Sequence, residues 1–80
     1  MRATVFVTLK QGVLDPQGQA VQRSLARLGY QEVESVRLGK YIEVELGMES
    51  ADEARSRLTE MCERLLANTV IEDYRIEIEG

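Results

Sequence analysis

The stretch Val36-Arg37-Leu38-Gly39-Lys40-Tyr41-Ile42-Glu43-Val44-Glu45-Leu46 decides the fold. Apart from Lys40, every second side chain in it is apolar, so the apolar residues share one face of an extended chain. Pairing Leu38 with Ile42 keeps that face intact and predicts two strands within residues 32–46. The predicted connection is a three-residue hairpin loop, Gly39-Lys40-Tyr41. A single bent strand through Gly39 is the alternative, because the alternation continues across it.

The chain before this stretch predicts a strand and a helix. Residues 3–10 alternate, and Phe6 lies on the face opposite to the valines. Asp15 followed by Pro16 is typical of a helix start, since Asp caps free N–H groups and Pro lacks an N–H that would stay unpaired there. Gly29 suits a left-handed helix end. The apolar stripe of this helix consists of Val21, Leu25 and Leu28, with Ala20 beside them.

The chain after this stretch repeats the pattern of a helix and a strand. Ser50 and Glu53 form a capping-box pattern that begins a second helix. Asn68 is expected to end that helix in the left-handed conformation. Residues 74–79 alternate between apolar and charged side chains, which predicts a last strand. The second helix carries its own apolar stripe of Ala54, Leu58, Met61 and Leu65, flanked by Cys62.

The predicted order is β-α-β-β-α-β in one domain, residues 1–80. One antiparallel sheet with both helices on one face is the shortest way to bury both apolar stripes, because each stripe needs a cover. This is the α+β, two-layer, ferredoxin-like split β-α-β plan. Right-handed crossovers then give the strand order 4-1-3-2.

The composition excludes several kinds of chemistry. The 80 residues include 10 Lys and Arg, 14 Asp and Glu, one Cys and no His. There is therefore no imidazole base or ligand, no internal disulfide and no multi-cysteine zinc site. An acidic chain is poorly suited to nucleic acid, and no apolar run could span a membrane. A start without an apolar signal segment and a free thiol favour the cytoplasm.

Charge and aromatic placement indicate a contact surface and no catalytic constellation. Residues 1–40 hold six basic and three acidic side chains, whereas residues 41–80 hold four basic and eleven acidic ones. Carboxylates that alternate along a strand are typical of a solvated or partner-facing side. Phe6 is the only Phe, and it falls on the sheet face that the helices leave bare. We expect that face to be an interface, and an open sheet in so small a chain favours pairing with a second copy.

Three segments resemble the small PurS-type subunit family of phosphoribosylformylglycinamidine synthase, and the resemblance runs from end to end. It implies a non-catalytic accessory subunit in de novo purine synthesis that helps a glutaminase subunit to pass ammonia to a large ATP-dependent subunit. The large subunit would use ATP and Mg²⁺, while this chain would bind no cofactor or metal. The segments are Thr8-Leu9-Lys10-Gln11-Gly12-Val13-Leu14-Asp15-Pro16-Gln17-Gly18, Val36-Arg37-Leu38-Gly39-Lys40-Tyr41-Ile42-Glu43 and Met61-Cys62-Glu63-Arg64-Leu65-Leu66-Ala67-Asn68-Thr69-Val70-Ile71-Glu72-Asp73-Tyr74.

The resemblance further implies a homodimer, or a tetramer built from dimers, that contacts both partner subunits. A free-standing ferredoxin-like regulatory module for a small molecule is the alternative, and an enzyme in its own right is a weaker one. The residues chosen as interface candidates are Phe6, Gly39, Lys40, Tyr41, Asn68, Glu72, Asp73 and Tyr74.

Overall fold

The central strand of the sheet is the first one in the chain. The computed structural model describes residues 1–79. Strand β1 (Arg2–Leu9) pairs antiparallel with β2 (Gly39–Glu45) on one side and with β3 (Glu72–Glu79) on the other, which gives the order β2-β1-β3. The α+β class with an antiparallel sheet and two helices is confirmed.

Helix α1 (Pro16–Arg27) begins and ends as the sequence predicts. Oδ1 of Asp15 accepts a hydrogen bond from the Gly18 N–H at 2.8 Å, which satisfies one of the free donors of the first turn. At the other end Gly29 has a φ of +104°, and the Tyr30 N–H donates to the Leu25 carbonyl at 3.0 Å. This is a Schellman ending, in which glycine takes the left-handed conformation at no steric cost.

Helix α2 (Ala51–Met61) begins at the predicted cap, because the Ser50 hydroxyl accepts from the Glu53 N–H at 3.3 Å. It continues into a π-helical turn at Cys62–Leu66, which the Ala67 N–H closes on the Cys62 carbonyl at 3.0 Å. The prediction of a left-handed Asn68 is wrong, because only two glycines in residues 1–79 have positive φ. The wider turn already bonds the last carbonyls, so no left-handed residue is needed there.

The core lies between α2 and one face of the sheet. Val5 and Val7 of β1 are buried against Leu58 and Cys62. Each Val or Leu side chain among them contributes about 1.5–3 kcal/mol when it is fully removed from water. Partly buried apolar residues surround this centre: Ile42, Val44, Leu46, Met61, Leu66, Tyr74, Ile76 and Ile78.

The predicted order 4-1-3-2 is wrong in detail, because its second strand does not form. Residues 33–38 are neither strand nor helix, and Gly39-Lys40-Tyr41 begins β2 and is not a hairpin loop. The physical reason is that α1 holds this segment. Oδ2 of Asp15 accepts from the Leu38 N–H at 2.9 Å, and the Gln22 amide donates to the Glu34 carbonyl at 2.9 Å.

Helix α1 also differs from the prediction, because it does not cover its own sheet. No residue of α1 belongs to the buried core or packs against it in the part of the chain that the structure describes. Val21 and Leu28 of its apolar stripe are 37% and 73% exposed. The molecule is consequently elongated, with a longest dimension of 48 Å.

Candidate functional site

Strand pairing brings seven of the eight candidate residues to one end of the sheet, where β1 ends. Asn68, the eighth, lies in the loop that leads into β3. Residues distant in sequence become neighbours because β2 and β3 both pair with β1. The rows across the sheet are Tyr41–Phe6–Arg75, Lys40–Val7–Tyr74, Gly39–Thr8–Asp73 and, on one side only, Leu9–Glu72.

An aromatic cluster occupies the sheet face that faces away from α2. The ring of Tyr41 meets the ring of Phe6 edge-on, with centroids 5.5 Å apart and an interplanar angle of 67°. The guanidinium of Arg75 lies over the Phe6 ring, 4.4 Å from the ring centroid. Tyr41 is 62% exposed and Phe6 is half-buried. Aromatic residues and Arg are the types that dominate binding energy at protein interfaces.

Carboxylates fill the rest of this outer face. Thr4 lies between Glu43 and Glu77, and Arg2 lies between Glu45 and Glu79. Arg2 Nε donates to Glu45 at 2.8 Å, and this hydrogen bond raises the pKa of the Arg2 guanidinium. The outer face therefore has an aromatic end and an acidic end.

Asn68 and Glu72 hold the loop before β3 closed. The Asn68 N–H donates to Oε1 of Glu72 at 2.7 Å, and the Glu72 N–H donates to the Asn68 carbonyl at 2.7 Å. The Asn68 side chain accepts from the Val70 N–H at 3.2 Å. These bonds fix a tight loop that displays Val70, whose side chain is 82% exposed.

Tyr74 ties β3 to the π-helical turn. Its hydroxyl donates to Oε2 of Glu63 at 2.7 Å, and this bond to a carboxylate raises the pKa of Tyr74 to about 12. The hydroxyl therefore stays protonated throughout the physiological pH range. A polar groove of about 350 Å³ lies here; it is lined by Lys10, Glu63, Thr69, Glu72, Asp73 and Tyr74.

Three features of the surface escaped the sequence reasoning. The alternation of residues 74–79 predicts only that Arg75 is a polar position of the strand, although its place two residues before Glu77 puts it on the outer face. The exposure of Val70 follows from loop bonds that no pattern reveals. An apolar groove of about 390 Å³ lies beside α2; it is lined partly by Val44, Met61 and Leu65, and no residue of α1 lines it.

The described residues contain no candidate metal site, no candidate membrane-spanning helix and no activated cysteine. Within residues 1–79, no cluster of three or more Cys, Asp or Glu side chains is arranged to hold a metal ion. No helix in that range is both long and apolar enough to cross a membrane. Cys62 is buried, and burial raises the pKa of its thiol, which disfavours the reactive thiolate.

The fold and this surface define a class of protein: a small α+β chain whose distinctive residues lie on exposed faces suited to contact with other proteins. The family model for PurS, described as phosphoribosylformylglycinamidine (FGAM) synthase, matches residues 2–80. The chain therefore belongs to the PurS family, and the resemblance seen in its three segments is confirmed.

Relatives and solved structures agree with this assignment. The chain is 56% identical over 79 residues to the PurS subunit of FGAM synthase from Bacillus subtilis, covering 98% of this chain and 92% of that protein. It superimposes on Methanocaldococcus jannaschii PurS with a TM-score of 0.88 and 42% identity, covering 99% and 95% of the two chains. That protein is described as one of the subunits of formylglycinamide ribonucleotide amidotransferase in the purine biosynthetic pathway.

One similar chain comes from a larger assembly. It belongs to the structure of PurLQS from Thermotoga maritima, and it matches with a TM-score of 0.86 and 32% identity over 95% of this chain and 93% of that one.

Proposed function

We propose that this chain is the accessory subunit of an FGAM synthase complex, contacting both a glutaminase subunit and a large ATP-dependent subunit. The observation that carries the proposal is the match to the family over residues 2–80. The similar Thermotoga maritima chain in the structure named PurLQS supports contact with the other two subunits.

The proposed role is to keep two active sites in register so that ammonia passes between them. Ammonia released into water near neutral pH is mostly protonated and loses the lone pair that makes it a nucleophile. A subunit that seals the junction excludes water and preserves the reactive form. This chain would need no catalytic residue for that role, and its proposed contacts are the seven candidate residues at the end of β1 together with Asn68 in the loop before β3.

The two faces of the candidate site suit two different contacts. The aromatic cluster of Phe6, Tyr41 and Arg75 offers anchors, with the acidic end of the sheet as a polar rim. The loop that Asn68 and Glu72 close offers a rigid, exposed apolar tip at Val70. We assign the first surface to one partner subunit and the second to the other.

Several finer statements belong to the same proposal. The working unit is a homodimer, or a tetramer of such dimers, in the cytoplasm, where Cys62 stays reduced. The chain itself holds no cofactor, and ATP and Mg²⁺ serve the large subunit. It contacts neither nucleic acid nor membrane.

Assembly of purified subunits tests the proposal. The chain is mixed with the glutaminase and synthetase subunits, and the mass of the mixture is measured by light scattering after gel filtration, with ATP and glutamine present. We expect one complex that contains all three subunits and that falls apart when this chain is omitted. A glutaminase–synthetase complex of equal stability without it, and no complex that includes it, would overturn the proposal in favour of the regulatory module.

A further inference from the structure

We infer that the outer edge of β3 binds an extended segment of a partner subunit, which joins the sheet as an additional strand and carries alternating basic and apolar side chains. The inference deepens the proposed function and rests on it. It names backbone groups of this chain that contact the partner subunit docking on the aromatic cluster, since Arg75 of that cluster belongs to β3.

Every second residue of β3 turns its backbone N–H and C=O groups away from the sheet. The Lys10 N–H donates to the Ile71 carbonyl at 2.8 Å. This bond continues the register that places Phe6 opposite Arg75. Because backbone hydrogen bonds alternate along an antiparallel pair, the odd-numbered residues of β3 bond to β1. The even-numbered residues that direct these groups outward are Tyr74, Ile76 and Ile78.

No other strand within residues 1–79 pairs with this edge. In the order β2-β1-β3, β3 is an outer strand, and its outward N–H groups beyond Glu72 have no backbone partner in that range. The Glu72 N–H also points outward, but the Asn68 carbonyl accepts it at 2.7 Å. The free edge therefore begins at Tyr74 and offers one N–H and one C=O group from each of three residues, 74, 76 and 78.

Strand β3 lacks most of the features that keep an edge strand from pairing. It runs for eight residues without a proline, a lysine or a break in its register with β1. Edge strands usually carry such features because unpaired backbone groups are a template for another strand. The feature that remains is charge: Glu72, Asp73, Glu77 and Glu79 are acidic, and Arg75 is the one basic residue of the strand.

This charge determines which strand the edge accepts. Four acidic side chains and one basic side chain give β3 a net charge of −3. Two copies of β3 placed edge to edge would both carry that charge, and like charges across paired strands are destabilising. Arg75 already bonds to Glu77 at 2.7 Å, so it does not offset the other carboxylates. The edge therefore disfavours a second copy of this chain and favours a partner segment with basic side chains.

The side chains of β3 define the pattern of that segment. The even-numbered side chains are partly buried and pack against the core, so apolar side chains beside them would extend the core. At the start of the strand, the polar groove of about 350 Å³ is lined partly by Glu63, Glu72 and Asp73. A Lys or Arg of the added segment would meet these carboxylates in charge-assisted hydrogen bonds. Apolar and basic residues therefore alternate along it, because successive side chains of a strand point to opposite faces.

Hydrogen exchange of single backbone amides tests the inference. The isotopically labelled chain is placed in heavy water, alone and within the three-subunit complex, and the amides that remain protonated are read by NMR. We expect the outward amides of Tyr74, Ile76 and Ile78 to exchange at least about tenfold more slowly in the complex. The inward amides of Arg75 and Glu77 are the internal control, because their bonds to β1 protect them in both samples.

Each of the other outcomes overturns the inference at a different point. A three-subunit complex in which these amides exchange as fast as in the free chain would overturn strand addition and leave the proposed function standing. Equal protection in the free chain would show that a second copy covers the edge. Absence of the three-subunit complex would overturn the proposed function, and the inference with it.

Two pairs of variants test the backbone groups and the charge separately. Ile76→Pro removes one outward N–H, a change that an edge strand tolerates, and should weaken the three-subunit complex at least about tenfold. Ile76→Val keeps that N–H and is the control. Asp73→Lys should weaken the complex by a similar factor, whereas Glu49→Lys, at an exposed residue before α2, should not. Complexes of native strength with both Ile76→Pro and Asp73→Lys would overturn the inference.

Discussion

The guanidinium of Arg75 lies 4.4 Å above the ring of Phe6, although the two residues stand at opposite ends of the chain. The contact exists because β1 and β3 are paired, with Phe6 directly opposite Arg75. Tyr41 of β2, which is paired with Phe6, meets the same ring edge-on. Three strands therefore contribute one side chain each to a cluster that stands on the open face of the sheet. A cation over an exposed aromatic ring contributes about 0.5–1 kcal/mol. The cluster is already assembled in the single chain.

Replacing Phe6, the centre of this cluster, should weaken binding to the partner subunits and leave self-association unchanged. We expect Phe6→Glu to weaken the three-subunit complex at least tenfold, or about 1.4 kcal/mol, because it puts a charge where the anchor lies. The mass of the chain alone should not change, because the proposed function assigns this cluster to a partner subunit. Ser56→Glu, on the exposed side of α2, is the matched control. Loss of the homodimer with Phe6→Glu would instead place the dimer interface on the outer face.

The bond between Tyr74 and Glu63 should make stability depend on pH in the alkaline range. The pKa of Tyr74 rises from 10.0 to about 12 on folding, so the stabilisation is complete below about pH 10 and is lost as the pH rises towards 12. Tyr74→Phe should lower the free energy of unfolding by about 0.5–1.5 kcal/mol at pH 7 and remove this alkaline dependence. Tyr30→Phe, which removes an exposed hydroxyl, should leave both quantities unchanged. Urea titrations at pH 7, 9 and 11 measure them.

The two bonds of Asp15 should appear as an acid-dependent loss of stability. Its carboxylate accepts from the Leu38 N–H and the Gly18 N–H, and these bonds lower its pKa. A lowered pKa means that the stabilisation is complete above about pH 4 and is lost as the pH falls further. Asp15→Asn should retain part of the helix cap but flatten this dependence, whereas Asp52→Asn in the first turn of α2 should not. An unchanged acid profile for Asp15→Asn would contradict the assignment.

Gly29 should be intolerant of a side chain for conformational reasons alone. Its φ is +104°, and a Cβ built there would meet no atom within 4 Å. Gly29→Ala should therefore cost about 1–2 kcal/mol in unfolding free energy through backbone strain. Gly47→Ala is the control, since Gly47 has no positive φ and its Cβ would also be unobstructed. Equal urea midpoints for the two variants would show that Gly29 is not held in the left-handed conformation.

Local signals in the sequence predicted the helix starts and the central strand β1. Asp15 and Ser50 cap their helices as their spacing indicates, because an N-cap depends on only a few neighbouring residues. The alternation around Val5 and Val7 predicted the buried face of β1, since side chains on a strand alternate by geometry.

What could not be predicted depends on contacts between distant residues. The alternation that includes Val36 and Leu38 predicts a second strand. This segment is held on α1 instead, by hydrogen bonds to Asp15 and Gln22. The alternation of apolar residues shows which side chains share a face of a strand. It does not show which other strand pairs with that strand. The Arg75–Phe6 contact likewise follows from the pairing register, which is a property of the sheet and not of either strand alone.

Glutamine-dependent product formation tests the central claim most directly. The glutaminase and synthetase subunits are incubated with ATP, Mg²⁺, glutamine and formylglycinamide ribonucleotide, with and without this chain, and both glutamate and formylglycinamidine ribonucleotide are quantified. We predict that adding the chain raises product formation from glutamine at least tenfold and brings glutamate release and product formation close to equal amounts. The same rate and the same ratio with and without the chain would contradict its role as the accessory subunit.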